Sequence, residues 1–85
     1  MIKKNIGVGG TTESARTVAM LVQIASRYQS SISICQNNKT VNAKSIMGMM
    51  TLGLIPGEQL EITADGSDEQ DAMVNLEDYL VGNHG

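Results

Sequence analysis

The stretch from Thr11 to Gln23 could place a reactive group at the start of a helix. It reads TTESARTVAMLVQ, so a short polar run ending in Ser14 leads into an apolar helical face. A hydroxyl at this junction would lie at the positive end of the helix. However, no base accompanies Ser14, and the carboxylate of Glu13 precedes it. Serine is also a preferred N-cap residue, worth about 1 kcal/mol. We therefore interpret Ser14 first as a helix cap.

A second serine, Ser45, precedes a short apolar stretch with an internal glycine, IMGMM. This pattern predicts a short helix that ends near Gly53, with Ser45 as its N-cap. The apolar residues cannot all point inward on so short a helix, so some of them must be exposed. A methionine-rich exposed surface is adaptable and suits protein docking.

Composition excludes several classes of function. The 85 residues predict one domain, 1–85. The formal net charge is −3, and the six Lys and Arg residues are scattered without forming a run. Both features argue against direct nucleic-acid binding. The sequence has no apolar run of about 18 residues and no signal-peptide pattern, so we expect a soluble, cytoplasmic protein that has no membrane partner.

The single cysteine and the single histidine offer little chemistry. With Cys35 alone, no internal disulfide can form, and a reducing compartment fits best. Cys35 and His84 lie far apart, so the sequence predicts neither a metal site nor a cofactor. We expect Cys35 to be a small buried residue on a strand and His84 to lie in a frayed tail.

Apolar periodicity predicts the element order β-α-β-β-α-β-α. Alternating residues indicate strands near 2–8, 32–34 and 60–64, and helical spacing indicates a helix near 15–27. The apolar stretch after Ser45 is the second helix, and residues 40–42 return as a short strand after a turn. Asn37-Asn38 is a tight-turn signal for a hairpin. Ser67, with Gln70 three residues later, fits a capping box for a last helix that stops near Gly82. The buried stripe of that helix is predicted to be Met73, Leu76, Tyr79 and Leu80. Together these elements predict an α+β fold, one antiparallel sheet covered on one side by helices.

This order and the residues themselves resemble the HPr family, the histidine-containing phosphocarriers of the bacterial sugar phosphotransferase system. The resemblance covers nearly the whole chain and is strongest in LVQIASRYQS, VNAKSIMGMMTLGL and ADGSDEQDAM. Its most specific part is KSIMGMM followed closely by LG, because helix propensity alone does not require that combination. The resemblance implies an HPr-like open-faced β-sandwich, in which four antiparallel strands carry three helices on one face.

The resemblance fails at the residue that makes the family a phosphocarrier. The family stretch Gly-Ile-His-Ala-Arg-Pro aligns with residues 12–17, TESART. Ala15 and Arg16 match it, whereas its glycine, isoleucine, histidine and proline are replaced by Thr12, Glu13, Ser14 and Thr17. A neutral imidazole can hold a labile phosphoryl group near pH 7, but a serine phosphate is a stable ester. The chain is therefore similar to the regulatory, Crh-like members, which also lack the histidine but carry glutamine there.

Other residues gain roles from the resemblance. Ser45 aligns with the regulatory serine that HPr kinase/phosphorylase modifies, and a phosphate of about −1.5 to −2 charge is favourable at a helix N-terminus. Ser45 can therefore be a cap, a phosphorylation site or both, and Lys44 could pair with the phosphate. The docking surface is implied to include Ile46, Met47 and Met50, with Met49 in the core. Arg16 is implied to hold phosphate and contact partners; the alternative is a solvated residue in the first turn, where the helix dipole disfavours it.

Three hypotheses follow. The first is a non-enzymatic regulatory protein, switched by phosphorylation of Ser45, whose partners are HPr kinase/phosphorylase and a LacI-type catabolite repressor. The second is a phosphotransferase-system component that binds enzyme I or permease domains without carrying phosphate. The third is a small-molecule-binding α+β module; we rank it last because no cluster of polar residues supports a pocket.

Overall fold

The order of helices and strands agrees with the order that the apolar patterns predict. The structure is a computed structural model, and it describes residues 1–8, 14–52 and 57–81. Over these residues the chain runs β-α-β-β-α-β-α. The elements are β1 (Ile2–Gly7), α1 (Ser14–Ser26), β2 (Ser31–Gln36), β3 (Lys39–Asn42), α2 (Ile46–Met49), β4 (Gln59–Asp65) and α3 (Glu69–Leu80).

The four strands form one antiparallel sheet in the order β1-β4-β2-β3. The register places Ile34 of β2 between Val41 of β3 and Ile62 of β4, so apolar side chains of neighbouring strands lie in one row. Because side chains alternate along a strand, Ser33 and Thr63 face the opposite side. The three helices cover the apolar face, which confirms the predicted open-faced α+β fold.

The β2–β3 hairpin turns at Asn37 and Asn38, as predicted. Both residues have positive φ, 50° and 66°, which is the left-handed region that a two-residue type I′ turn requires at each central position. Asparagine tolerates this region better than most residues other than glycine. The turn therefore fixes the β2–β3 register from the local sequence alone.

The long helices are held by their apolar stripes. α1 buries Val18, Leu21, Ile24 and Ala25, and α3 buries Ala72, Met73, Leu76 and Leu80, while Tyr79 is only half-buried. Complete burial of one large aliphatic side chain is worth about 1.5–3 kcal/mol. The predicted stripe of the last helix is thus confirmed, with Tyr79 at its edge.

The start of α3 differs from the prediction. The helix begins at Glu69 with Asp68 at the N-cap, so the capping box from Ser67 to Gln70 is wrong. Glu69 Oε1 instead accepts a hydrogen bond from the Gly66 amide at 3.0 Å, and this bond holds the pKa of the Glu69 carboxyl below its ordinary value. The predicted stop at Gly82 lies outside the described residues.

Asp68 makes a tertiary contact instead of capping the helix. Its carboxylate accepts hydrogen bonds from the Ser30 hydroxyl and from the amides of Gln29 (2.8 Å) and Ser30 (3.0 Å). These bonds, that of the Ser30 hydroxyl first, lower the pKa of Asp68. Gly66 packs so closely here that an added Cβ would lie 2.6 Å from the Ser30 Cα. The N-terminal end of α3 is therefore fastened to the segment between α1 and β2.

The second helix is shorter than predicted. α2 covers Ile46–Met49 and does not extend towards Gly53, which lies outside the described residues. Its last turn tightens because the Thr51 and Leu52 amides bond to the carbonyls three residues earlier, at 3.1 and 3.0 Å. The Thr51 hydroxyl also donates to the Gly48 carbonyl at 2.6 Å. These contacts satisfy the terminal carbonyls and end the helix early.

Candidate functional site

The first turn of α1 presents Arg16 to solvent. α1 begins at Ser14, one residue before its predicted start, and Thr17 in the same turn is buried. Arg16 is exposed, as a contact residue for partners must be. Ser14 is the first residue of the helix, whereas an N-cap residue precedes it, so the prediction of Ser14 as the N-cap is wrong. The side chain of Ser14 and the whole of Glu13 lie outside the described residues.

Ser45 is the N-cap of α2. Its backbone is extended (φ −100°, ψ 111°), and its Oγ accepts a hydrogen bond from the Gly48 amide at 3.3 Å. The Ser45 carbonyl accepts the first helical bond, from the Met49 amide at 2.9 Å. The residue is nevertheless exposed. A hydroxyl in this position can both cap the helix and be reached by a modifying enzyme.

Lys44, which was predicted to pair with a phosphate on Ser45, forms hydrogen bonds with other residues. Its Nζ donates to the Tyr28 carbonyl at 2.7 Å, and its amide donates to Asn42 Oδ1 at 2.8 Å. The bond to Tyr28 ties the segment before α2 to the residues that follow α1, and the bond to Asn42 is local. An ammonium has three donors, so Lys44 could pair with a Ser45 phosphate through another proton or by leaving Tyr28.

The exposed apolar side chains of α2 and of its C-cap residue form one surface, the α2 patch, composed of Ile46, Met47 and Met50. Their exposed fractions are 44%, 81% and 63%. Positions i, i+1 and i+4 lie on about a quarter to a third of the helix circumference. Met49 points the other way and is completely buried. A four-residue helix cannot bury all of these side chains, which is why the predicted exposure of the patch is observed.

The charged residues of the sequence segment that contains α1 and α2 are all of one sign, a feature that the prediction of scattered Lys and Arg residues missed. From Ser14 to Gly57 the sequence contains no Asp or Glu. The charged residues in this span are Arg16, Arg27, Lys39 and Lys44. From Glu58 onwards the chain contains acidic residues and no Lys or Arg. α1 and α2, which pack together, both belong to this span without acidic residues. Plotting acidic residues along the chain would have revealed this.

The remaining candidates add no site. Cys35 is a free cysteine on β2 and is half-buried, so the prediction of a buried cysteine is wrong: it pairs with Thr40 and Glu61 on the polar face of the sheet. His84 lies outside the described residues. Over the part of the chain that the structure describes, no helix is long and apolar enough to span a membrane.

Comparisons with known proteins agree on one family. The sequence model described as "PTS HPr component phosphorylation site" matches residues 12–81. The chain is similar to phosphocarrier protein HPr from Bacillus anthracis str. Ames, with 40% identity, a TM-score of 0.87, and coverage of 93% of this chain and 95% of that one. It is also similar to HPr-C-His from Thermoanaerobacter tengcongensis, with 41% identity and a TM-score of 0.86. That match covers 94% of this chain and 91% of the other.

A further similar structure is Crh, the Bacillus subtilis catabolite repression containing protein. It is 36% identical to this chain, with a TM-score of 0.71, and the match covers 94% of this chain and 88% of Crh. Both phosphocarriers and a protein linked by its name to catabolite repression therefore share this fold and much of this sequence.

Proposed function

The chain belongs to the HPr family of the phosphotransferase system, whose members are phosphocarriers that dock with other components of that system, and from this membership we propose that it is a regulatory, Crh-like member. It would act by docking in the cytoplasm, without catalysis and without carrying phosphate on a histidine. The observation that carries the proposal is Ser14 at the position of the phosphocarrier histidine.

The chemistry of Ser14 argues against a carrier. Transfer to a sugar permease requires a phosphoryl group that leaves easily, as it does from an imidazole nitrogen. A serine ester would retain the group. The carboxylate of Glu13 would also repel a phosphorylated donor at the same place.

Phosphorylation of Ser45 would then be the switch. The hydroxyl is exposed at the N-cap of α2, next to the α2 patch. HPr kinase/phosphorylase would add the phosphate, and a LacI-type catabolite repressor would read the phosphate and the patch together. Arg16 would contribute a further contact from the first turn of α1.

The alternative is a non-phosphorylated component that binds enzyme I or permease domains. One observation favours it: the residues from Ser14 to Gly57 carry positive charge only, so the unmodified surface should attract an acidic partner. Phosphate on Ser45 would weaken such a complex. The two functions thus differ in the sign of the effect of phosphorylation.

Phosphoryl transfer tests the loss of carrier function. The protein is incubated with phosphoenolpyruvate and enzyme I, and a histidine-containing HPr serves as the positive control in the same reaction. We expect an acid-labile phosphoprotein only in the control. An acid-labile product on this chain, detected on a phosphate-affinity gel, would contradict the proposal.

Partner titrations test the switch. After treatment with HPr kinase/phosphorylase and ATP, affinity for the repressor should rise, and it should fall in Ser45→Ala and in Met47→Ala. The first loss should shrink at higher salt because screening weakens charge contacts, whereas the second should not. Ser31→Ala removes an exposed hydroxyl from the sheet and is the matched control. If phosphorylation instead weakens repressor binding or leaves it unchanged, the switch is wrong.

A further inference from the structure

The outward face of α3 carries a regular stripe that the proposed function does not use. It consists of Asp71, Val74, Asp78 and Val81, spaced by three, four and three residues. Such spacing places the side chains along one face of a helix. Val81 follows α3 in a helical conformation (φ −80°, ψ −4°), so it continues the line. We refer to these four residues as the α3 stripe.

The α3 stripe does not help the isolated fold. Val74 and Val81 are 56% and 40% exposed although the same helix buries four other apolar residues. Asp78 lies in the last turn, where the helix dipole disfavours a negative charge, and that turn contains no basic residue. Neither Asp71 nor Asp78 forms an ion pair with a residue that the structure describes, in contrast to Glu77, whose Oε1 lies 2.7 Å from Lys4 Nζ.

The two carboxylates of the α3 stripe and the acidic sequence around α3 indicate the chemistry of a partner, with Lys4 of β1 already paired with Glu77. From Glu58 onwards the chain has eight acidic residues, Glu58, Glu61, Asp65, Asp68, Glu69, Asp71, Glu77 and Asp78, and no Lys or Arg. This negative charge repels nucleic acid and anionic lipid alike. Lysine and arginine side chains suit the surface, because their aliphatic stems can cover valines while their charged ends reach carboxylates.

We propose that the α3 stripe is a second docking surface, separate from the α2 patch, and that it binds a basic amphipathic helix of a partner protein. Lysine or arginine of the partner would pair with Asp71 and Asp78, and aliphatic side chains between them would cover Val74 and Val81. This surface does not depend on Ser45 and would stay available in both phosphorylation states.

The experiment uses a synthetic helical peptide with lysine and leucine along one face and glutamine and alanine elsewhere. Titration into the ¹⁵N-labelled full chain should shift amide signals of α3 and leave those of α2 unchanged. Replacing both carboxylates, Asp71→Asn with Asp78→Asn, should weaken binding about threefold to tenfold at low salt, as expected for two exposed charge pairs. At about 0.5 M salt the difference should fall below about twofold. Val74→Ala should weaken binding at both salt concentrations.

Asp65→Asn is the matched control, since it removes one exposed carboxylate at the end of β4, outside the α3 stripe. If Asp65→Asn weakens peptide binding as much as Asp78→Asn does, the attraction is a general one for acidic protein and the proposal is overturned. Shifts centred on α2 would overturn it too. So would self-association of the protein alone that Asp78→Asn abolishes, because the stripe would then bind a second copy.

A stability measurement separates docking from a structural role. Removing the charge at Asp78 relieves its unfavourable interaction with the helix dipole, so Asp78→Asn should keep or raise the melting temperature while weakening peptide binding. A lower melting temperature in this variant would assign Asp78 to the fold and overturn its role in docking.

Discussion

α2 and α3 both begin after a polar residue, but they use that residue differently. Ser45 caps α2 with its own hydroxyl. The carboxylate of Asp68, at the N-cap of α3, instead accepts hydrogen bonds from Gln29 and Ser30. α2 has four residues and buries one side chain, so it depends on a local cap. α3 has twelve residues, buries four side chains, and is held by the core. A chemical change at Ser45 is therefore confined to α2, while a change at the start of α3 reaches across the fold.

The largest effect expected from this contrast comes from two glycines. Gly66→Ala places a Cβ 2.6 Å from the Ser30 Cα and should destabilise the protein by about 1–3 kcal/mol. Gly48→Ala in α2 is the matched control: its nearest neighbours lie at an ordinary 3.6 Å, and alanine favours a helix by up to about 1 kcal/mol. Urea unfolding of both variants measures the difference. If Gly66→Ala and Gly48→Ala lower the free energy of unfolding equally, the start of α3 is no more constrained than α2.

Acid should loosen the start of α3 before it affects the cap of α2. The folded pKa of Asp68 lies below its ordinary value of 3.8, so the stabilisation from this carboxylate is present above that pH. It is lost as the pH falls through the folded pKa. Asp68→Asn should therefore flatten the decline of unfolding free energy below pH 4.

Ser30→Ala keeps the carboxylate but removes the hydroxyl bond that contributes most to lowering its pKa, so it should flatten the decline partly. Chemical denaturation between pH 2.5 and 6 measures this. If the free energy of unfolding falls with pH as steeply in Asp68→Asn as in the original protein, the contact with Ser30 does not govern acid stability.

Loss of the α2 cap should have a smaller and more local effect. Ser45→Ala should cost about 1 kcal/mol, because it removes one capping bond from a short helix. Ser45→Asp keeps an acceptor at the cap and should retain most of the stability. Hydrogen exchange should show faster exchange of α2 amides in Ser45→Ala, with α3 unchanged; faster exchange throughout α3 would contradict the independence of the two helices.

The smallest effect is expected at the exposed ion pair that ties α3 to β1. Lys4→Gln should cost about 0.2–1 kcal/mol, and less at high salt, because both side chains are partly solvated. Lys3→Gln is the control, since its Nζ lies 4.0 Å from Glu61 on the other face of the sheet. Thermal melts at two salt concentrations compare them. A larger loss in Lys3→Gln would mean that the pair with Glu77 does not fasten α3.

The sequence predicts the features of this fold that depend on local patterns. Alternation identified β1, β2 and β4, helical spacing identified α1 and the stripe of α3, and Asn37-Asn38 identified the hairpin that adds β3. The resemblance to the HPr family, not periodicity, indicated which residues of α2 are exposed. Met49 inside and Met47 outside agree with that expectation.

The failures concern contacts between distant parts of the chain. Ser67 has a good local capping signal, but Asp68 is drawn to residues 38 and 39 positions earlier, and this fixes where α3 begins. Lys44 likewise bonds to the Tyr28 carbonyl, 16 positions away, and no local pattern announces that bond. The separation of charge between the two parts of the chain was readable from the sequence, but only when acidic and basic residues are followed together.

The exposure of the α2 patch also makes it sensitive to oxidants. Thioethers convert to sulfoxides, which are polar and chiral, and accessible methionines react first. Met47 and Met50 are open to solvent, while Met49 beside them is completely buried. We therefore expect mild peroxide to turn the apolar surface polar and leave the core intact. A preparation aged in this way would melt like a fresh one and still fail to dock, and methionine sulfoxide reductase would restore it.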